Sequence, residues 1–108
     1  MNKTARIREL NDQFRRTFVG GQVVLTAGLN DLPDADKAAV LAKVRTFDAF
    51  NGDNDPHGEH DFVNVEHDGT KYFGKLDYYA PDMQAGSEDP ADSSQTVRVL
   101  TIMRADEY

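Results

Sequence analysis

The chain has 108 residues, 29% of them charged, with 19 acidic side chains against 12 lysines and arginines and no cysteine. That length fits a single domain spanning residues 1–108, and the absence of thiols excludes disulfides, thiolate metal sites and a cysteine nucleophile. The net charge of −7 argues against direct nucleic-acid or anionic-membrane binding. Residues 1–16 contain no apolar signal core, and no run approaches the ~20 apolar residues of a membrane span, so a cytoplasmic protein is expected.

Ile7, Leu10, Phe14 and Phe18 recur at helical spacing and predict a helix from Thr4 to Thr17. It carries Lys3, Arg6, Arg8, Arg15 and Arg16, the one basic stretch of the chain. Gly20-Gly21 breaks it, and the β-branched run from Gln22 to Ala27 predicts a strand. After a turn at Gly28–Asp31, Pro33 with Asp34 and Asp36 opens a second helix. Val40, Leu41, Val44 and Phe47 carry its apolar stripe, and it is expected to reach Ala49.

Asn51–His60 is a polar loop of turn formers. Phe62–His67 and Thr70–Tyr79 then flank Asp68-Gly69, the pair favoured in a two-residue type I′ turn, and predict a hairpin. That register pairs Val65 with Tyr72 and Val63 with Gly74. It puts Val63, Val65, Tyr72, Leu76 and Tyr78 on one face and Phe62, Asn64, Phe73, Lys75 and Asp77 on the other. A second polar loop covers Ala80–Gln95. Thr96–Met103 is apolar on both parities, as a central strand should be. The expected fold is α+β, with two helices packed on one face of a mostly antiparallel sheet of about four strands.

Thr46–Thr70 holds Asp48, Asp53, Asp55, Glu59, Asp61, Glu66 and Asp68 and no Lys or Arg, and Asp82, Glu88, Asp89 and Asp92 continue the bias in the second loop. Asp is a common turn former, so solvated loops account for this composition. The functional alternative is an acidic surface that docks a basic partner, with Asp53, Asp55, Glu59, Asp61, Phe62 and Phe73 as binding residues. His57, His60 and His67 share the acidic window, and His57 and His60 are candidate metal ligands. The loop is not an EF-hand, because Pro56 and Phe62 stand where Gly and Glu are required. Lys75 and Asp77, on the face with Phe62 and Phe73, either floor a site or contact a partner if that face is open. If a helix covers it, they form a structural pair with further partners such as Arg98.

Ile7–Asn11, Phe14-Arg15, Gly58–Phe62, Lys75–Tyr79, Asp89–Asp92 and Arg98–Met103 together resemble a bacterial family catalogued as a domain of unknown function, number 3768. One departure is Gly74, where a large aromatic residue is expected, so the packing of the hairpin should be thinner at that point. The resemblance implies a small cytosolic accessory protein, often carried on plasmids and other mobile elements. The leading expectation is a non-catalytic binding or inhibitory factor, without a cofactor. It would act on a basic, nucleic-acid-binding protein by electrostatic imitation of that protein's ligand. The alternative is a small hydrolase or metal-dependent enzyme using His57, His60, Asp61, Lys75 and Asp77. A third reading is a homodimer through the face of Phe62 and Phe73; monomer and homodimer are both open.

Overall fold

The computed structural model describes residues 2–108. Helix α1 (Lys3–Thr17) leads into strand β1 (Gly21–Leu25), the single helical turn α2 (Ala27–Asn30) and helix α3 (Asp34–Thr46). Strands β2 (Phe62–His67), β3 (Thr70–Tyr79) and β4 (Val97–Arg104) follow, with short 3₁₀ turns at Ser93–Gln95 and Ala105–Glu107. The sheet order is β1-β4-β3-β2. β1 runs parallel to β4 and the remaining pairs are antiparallel. The expected α+β class holds, and the strand that is apolar on both parities is an inner one.

Local chemistry sets the element ends. The Asn2 side chain accepts the Ala5 N–H at 2.7 Å and starts α1, while Phe18 stops it in a left-handed conformation. Pro33 precedes α3, and Asp34 and Asp36 sit in its first turn. The expected turn at Gly28–Asp31 is instead a turn of helix beginning at Ala27. α3 ends at Thr46 rather than Ala49, because Phe47 is extended. The physical cause is a side chain from α1, described below.

The hairpin follows its turn. Asp68 and Gly69 have φ of 50° and 75°, as a type I′ turn requires, and Val63 faces Gly74 while Val65 faces Tyr72. The core therefore lies on one side of the sheet. Val63, Val65, Tyr72, Leu76, Leu100 and Ile102 pack there against Phe14 of α1 and Val40 and Val44 of α3. Among the described residues no α-helix covers the other side, where Phe62 and Phe73 meet at 5.0 Å between ring centroids and Tyr108, after the last 3₁₀ turn, lies across both.

Gly74 corrects an expectation. It is buried directly under α3, and a Cβ there would lie 2.8 Å from Val63 Cγ2 and 3.2 Å from Val44 Cγ1. An aromatic residue would push α3 off the sheet, so glycine here permits close packing rather than thinning it. Gly74→Ala is expected to destabilise the protein by about 1–3 kcal/mol, the usual cost of overpacking a filled core. Urea unfolding monitored by circular dichroism measures it; an unchanged midpoint would contradict this packing.

Candidate functional site

Five segments meet at the end of the sheet where β4 begins, and polar side chains hold them together. Asn11 of α1 is fully buried. Its Nδ2 donates to the Glu59 carbonyl at 3.0 Å and to the Tyr78 hydroxyl at 2.7 Å, and its Oδ1 accepts from Arg98 Nε at 2.8 Å. Tyr78 in turn donates to Glu59 Oε1 at 2.8 Å. Arg98, 3% exposed, also donates to the Pro90 carbonyl, and its guanidinium lies 5.4 Å from the Tyr78 ring centroid. Burial pushes the Tyr78 hydroxyl pKa up and the Arg98 guanidinium pKa down. These are scaffold contacts in which nearly every donor and acceptor has a partner.

One helical turn further along α1, Arg15 is 1% exposed. Its NH1 donates to the carbonyls of Val44, Arg45 and Phe47 at 3.0, 3.2 and 2.9 Å, and its NH2 to Asp12 Oδ1 at 3.0 Å. The guanidinium thus takes up carbonyls that another turn of α3 would have satisfied, which is why α3 stops early. Asp12 also faces His60, whose Nδ1 lies 2.9 and 3.1 Å from the two carboxylate oxygens. The His60 ring stacks on Phe50 at 3.7 Å with a 4° interplanar angle, and its backbone N–H donates to Asp55 Oδ1. Among the described residues, both ring nitrogens of His60 face carboxylates, Asp12 and Asp55, and neither meets a hydroxyl or amine nucleophile.

The residues proposed from the sequence therefore separate. Glu59, His60 and Asp61 lie on the helix side or at its margin. Lys75 and Asp77, 3.5 Å apart, project from the open face with Phe62 and Phe73. The sheet divides the five residues of the hydrolase reading, so they do not form one pocket. Arg98 is on the opposite face from Lys75 and Asp77 and is not their partner. Of the acids, Asp53 is exposed, Glu59 is held by Tyr78, and the Asp55 side chain is 7% exposed. His57 is exposed and apart from His60's carboxylates. Among the described residues, one three-membered group suited to a cation brings Asp36, His67 and Asp68 together. The Lys43 ammonium already stands 3.4 Å from His67 Nδ1 there, opposing a second positive charge.

Sequence reading missed Asn11, Asp12 and Arg15 as interior groups. The available signal was their i, i+4 spacing, which puts Asn11 and Arg15 beside Ile7 and Phe14 on the apolar side of α1.

A family profile described as Protein of unknown function (DUF3768) matches residues 25–107. The match includes Glu59, Tyr78, Pro90 and Arg98; α1, with Asn11 and Arg15, precedes it. No curated protein and no solved structure matches.

Asn11→Ala strands Arg98 Nε and is expected to cost about 3 kcal/mol, since each buried polar group left unpaired costs ~1–3 kcal/mol. Asp53→Asn should change stability by less than about 0.5 kcal/mol. Equal effects in chemical unfolding would refute the network. Asp61 supplies a pH test. Burial, with Glu59 and Asp55 nearby, raises its pKa, so the folded state holds the proton more tightly than the unfolded state. Its contribution is most favourable below the carboxylate range and is lost as pH rises through the folded value. Asp61→Asn should therefore raise the melting temperature at neutral pH, with the gain shrinking as pH falls. A gain that does not vary with pH would contradict this.

Proposed function

The chain belongs to the DUF3768 family of proteins of unknown function, and from the way the fold sorts its charges we propose that it is a non-catalytic protein-binding factor for a basic partner. Several of its cations are engaged by the fold itself. Arg15 and Arg98 are buried, Arg8 donates to the Gly58 carbonyl at 2.9 Å, and Arg45 Nε donates to the Arg16 carbonyl at 3.0 Å. Within the basic stretch of α1, Arg8 and Arg15 thus serve as scaffold, Lys3 and Arg6 pair with Asp89 and Glu9 at 3.6 and 3.0 Å, and Arg16 stays exposed. Asp48, Asp53, Asp82 and Glu88 remain exposed. The last three lie in the two loops that enter the sheet at the same end, beside the starts of β2 and β4. The observation that carries the reading is this acidic end, mounted on a rigid polar network. A partner with a basic, DNA-handling surface matches it, and the protein would inhibit that partner by occupying the site of its nucleic acid.

The split of the His60 and Lys75 groups across the sheet removes the motive for the hydrolase reading in the form the sequence suggested. Asp55 and Glu59 are unsuitable as probes of binding, because they hold the loop.

The test substitutes Asp48, Asp53 and Asp82 by Asn and Glu88 by Gln together. Capture of basic proteins from lysate is expected to fall roughly tenfold, as four rim charges at about 0.3–0.5 kcal/mol each would give, with the melting temperature kept. Wild-type capture should also weaken as the screening length shrinks from ~10 Å at 0.1 M salt to ~3 Å at 1 M. Capture that survives both the substitutions and high salt would overturn the proposal, as would a shift of duplex DNA by the wild type alone.

A further inference from the structure

The sheet has two edges, and they are treated differently. On β2, the Leu76 N–H donates to the Asp61 carbonyl at 2.9 Å. By antiparallel alternation the backbone groups of Phe62, Asn64 and Glu66 then face outward. That edge is guarded: Lys43 Nζ donates to the Glu66 carbonyl at 2.6 Å, and Glu66 and His67 add polar side chains. A lysine over an outer strand is a common way to block strand addition.

β1 carries no such guard. There is no charged side chain between Arg16 and Asp31 in a chain that is otherwise 29% charged. Val19 and Val24 are 76% and 44% exposed. The Thr26 N–H donates to the Ile102 carbonyl at 3.2 Å, which fixes the alternation of the parallel ladder. The backbone groups of Gln22 and Val24 face β4, and those of Gly21, Val23 and Leu25 face outward. Of the outward groups, the Leu25 carbonyl takes Asn30 Nδ2 at 3.3 Å. Among the described residues, the N–H and C=O of Gly21 and Val23 have no partner.

We propose that a second copy of this chain occupies this edge, with the two β1 strands antiparallel about a two-fold axis at Val23. In that register Val23 faces its own mate and exchanges both backbone hydrogen bonds with it. Gly21 faces Leu25 of the other copy, and Leu25 faces Gly21. Every outward residue of β1 thereby lies opposite an outward residue, as a self-complementary interface requires. On the open face, Gln22 comes opposite the other copy's Val24. The charge pattern selects the same surface, because two molecules of net charge −7 repel wherever their acids meet. The residues of β1 carry no charge, the nearest carboxylate being Glu107 on Thr26 and Gly28 just beyond its end, so this edge is where the two molecules approach at least cost. The two four-stranded sheets become one of eight strands. This association is independent of the acidic loops.

The test is solution mass against concentration, by light scattering and sedimentation, on the full chain. The wild type is expected to move from 12.1 kDa toward twice that value. Higher salt should favour the dimer, by screening the like charges. Gln22→Lys with Val24→Lys sets lysine against lysine across the pair, and the mass should stay at 12.1 kDa. Gln22→Glu with Val24→Lys sets opposite charges in the same register and should restore the dimer. Both side chains are exposed, and an unchanged melting temperature at low concentration confirms that each variant folds. A wild type that stays monomeric at all concentrations overturns the proposal. So does a dimer that survives the double lysine, which would locate association on the Phe62–Phe73 face, and so does a failed restoration, which would show that Gln22 and Val24 do not face each other across the pair.

Discussion

A buried guanidinium persists in a folded protein only when acceptors surround it, because an uncompensated interior charge costs several kcal/mol. Arg15 meets that condition with three carbonyls from the end of α3 and the carboxylate of Asp12. Much else follows from this arrangement. It fixes how α1 lies against α3 and ends α3 at Thr46. It also holds Asp12, which orients His60, and His60 with Phe50 closes the loop onto α1. Burial lowers the Arg15 pKa while its hydrogen bond to Asp12 raises it, so the carboxylate is what keeps the cation acceptable inside. Among the buried side-chain polar atoms of the described residues, Arg15 Nε is left without a partner.

The parts of the fold legible in the sequence were those set by local chemistry or strict alternation. Asp68-Gly69 dictated its turn, the turn dictated register, and register assigned every side chain of β2 and β3 to its face. Strand β4, apolar on both parities, is indeed inner. What local pattern does not carry is whether a polar side chain turns inward. Asp55 and Glu59 read as members of a uniform acidic surface, but one accepts the His60 N–H and the other the Tyr78 hydroxyl. Arg15 read as part of a basic stripe, and the end of α3 was placed three residues late because its cap comes from another helix. Gly74 was misjudged for the same reason, since besides its cross-strand neighbour Val63 it meets Val44 of α3, 30 positions away in sequence.

The acidic loops owe their order to the same separation of roles. Asn51 Oδ1 accepts from the Asp53 and Asn54 N–H groups, and Asp92 accepts from Ser94 and Gln95. Such Asx-type turns stiffen a loop without a core of its own. The surface acids therefore stand on backbone that is already bonded, and this limits the entropy that ordering would cost on contact with a partner.

The placement of β4 bears on how the chain is made. It is the last of the four strands to leave the ribosome, yet it joins β1 to β3, and Arg98 within it bonds Asn11 across 87 positions of sequence. Until it docks, the β2–β3 hairpin and β1 have no strand between them, and Asn11 Oδ1 lacks the Arg98 donor. Contacts this distant along the chain slow folding. Both flanks that β4 covers therefore stay open to other strands until this late step of folding closes them.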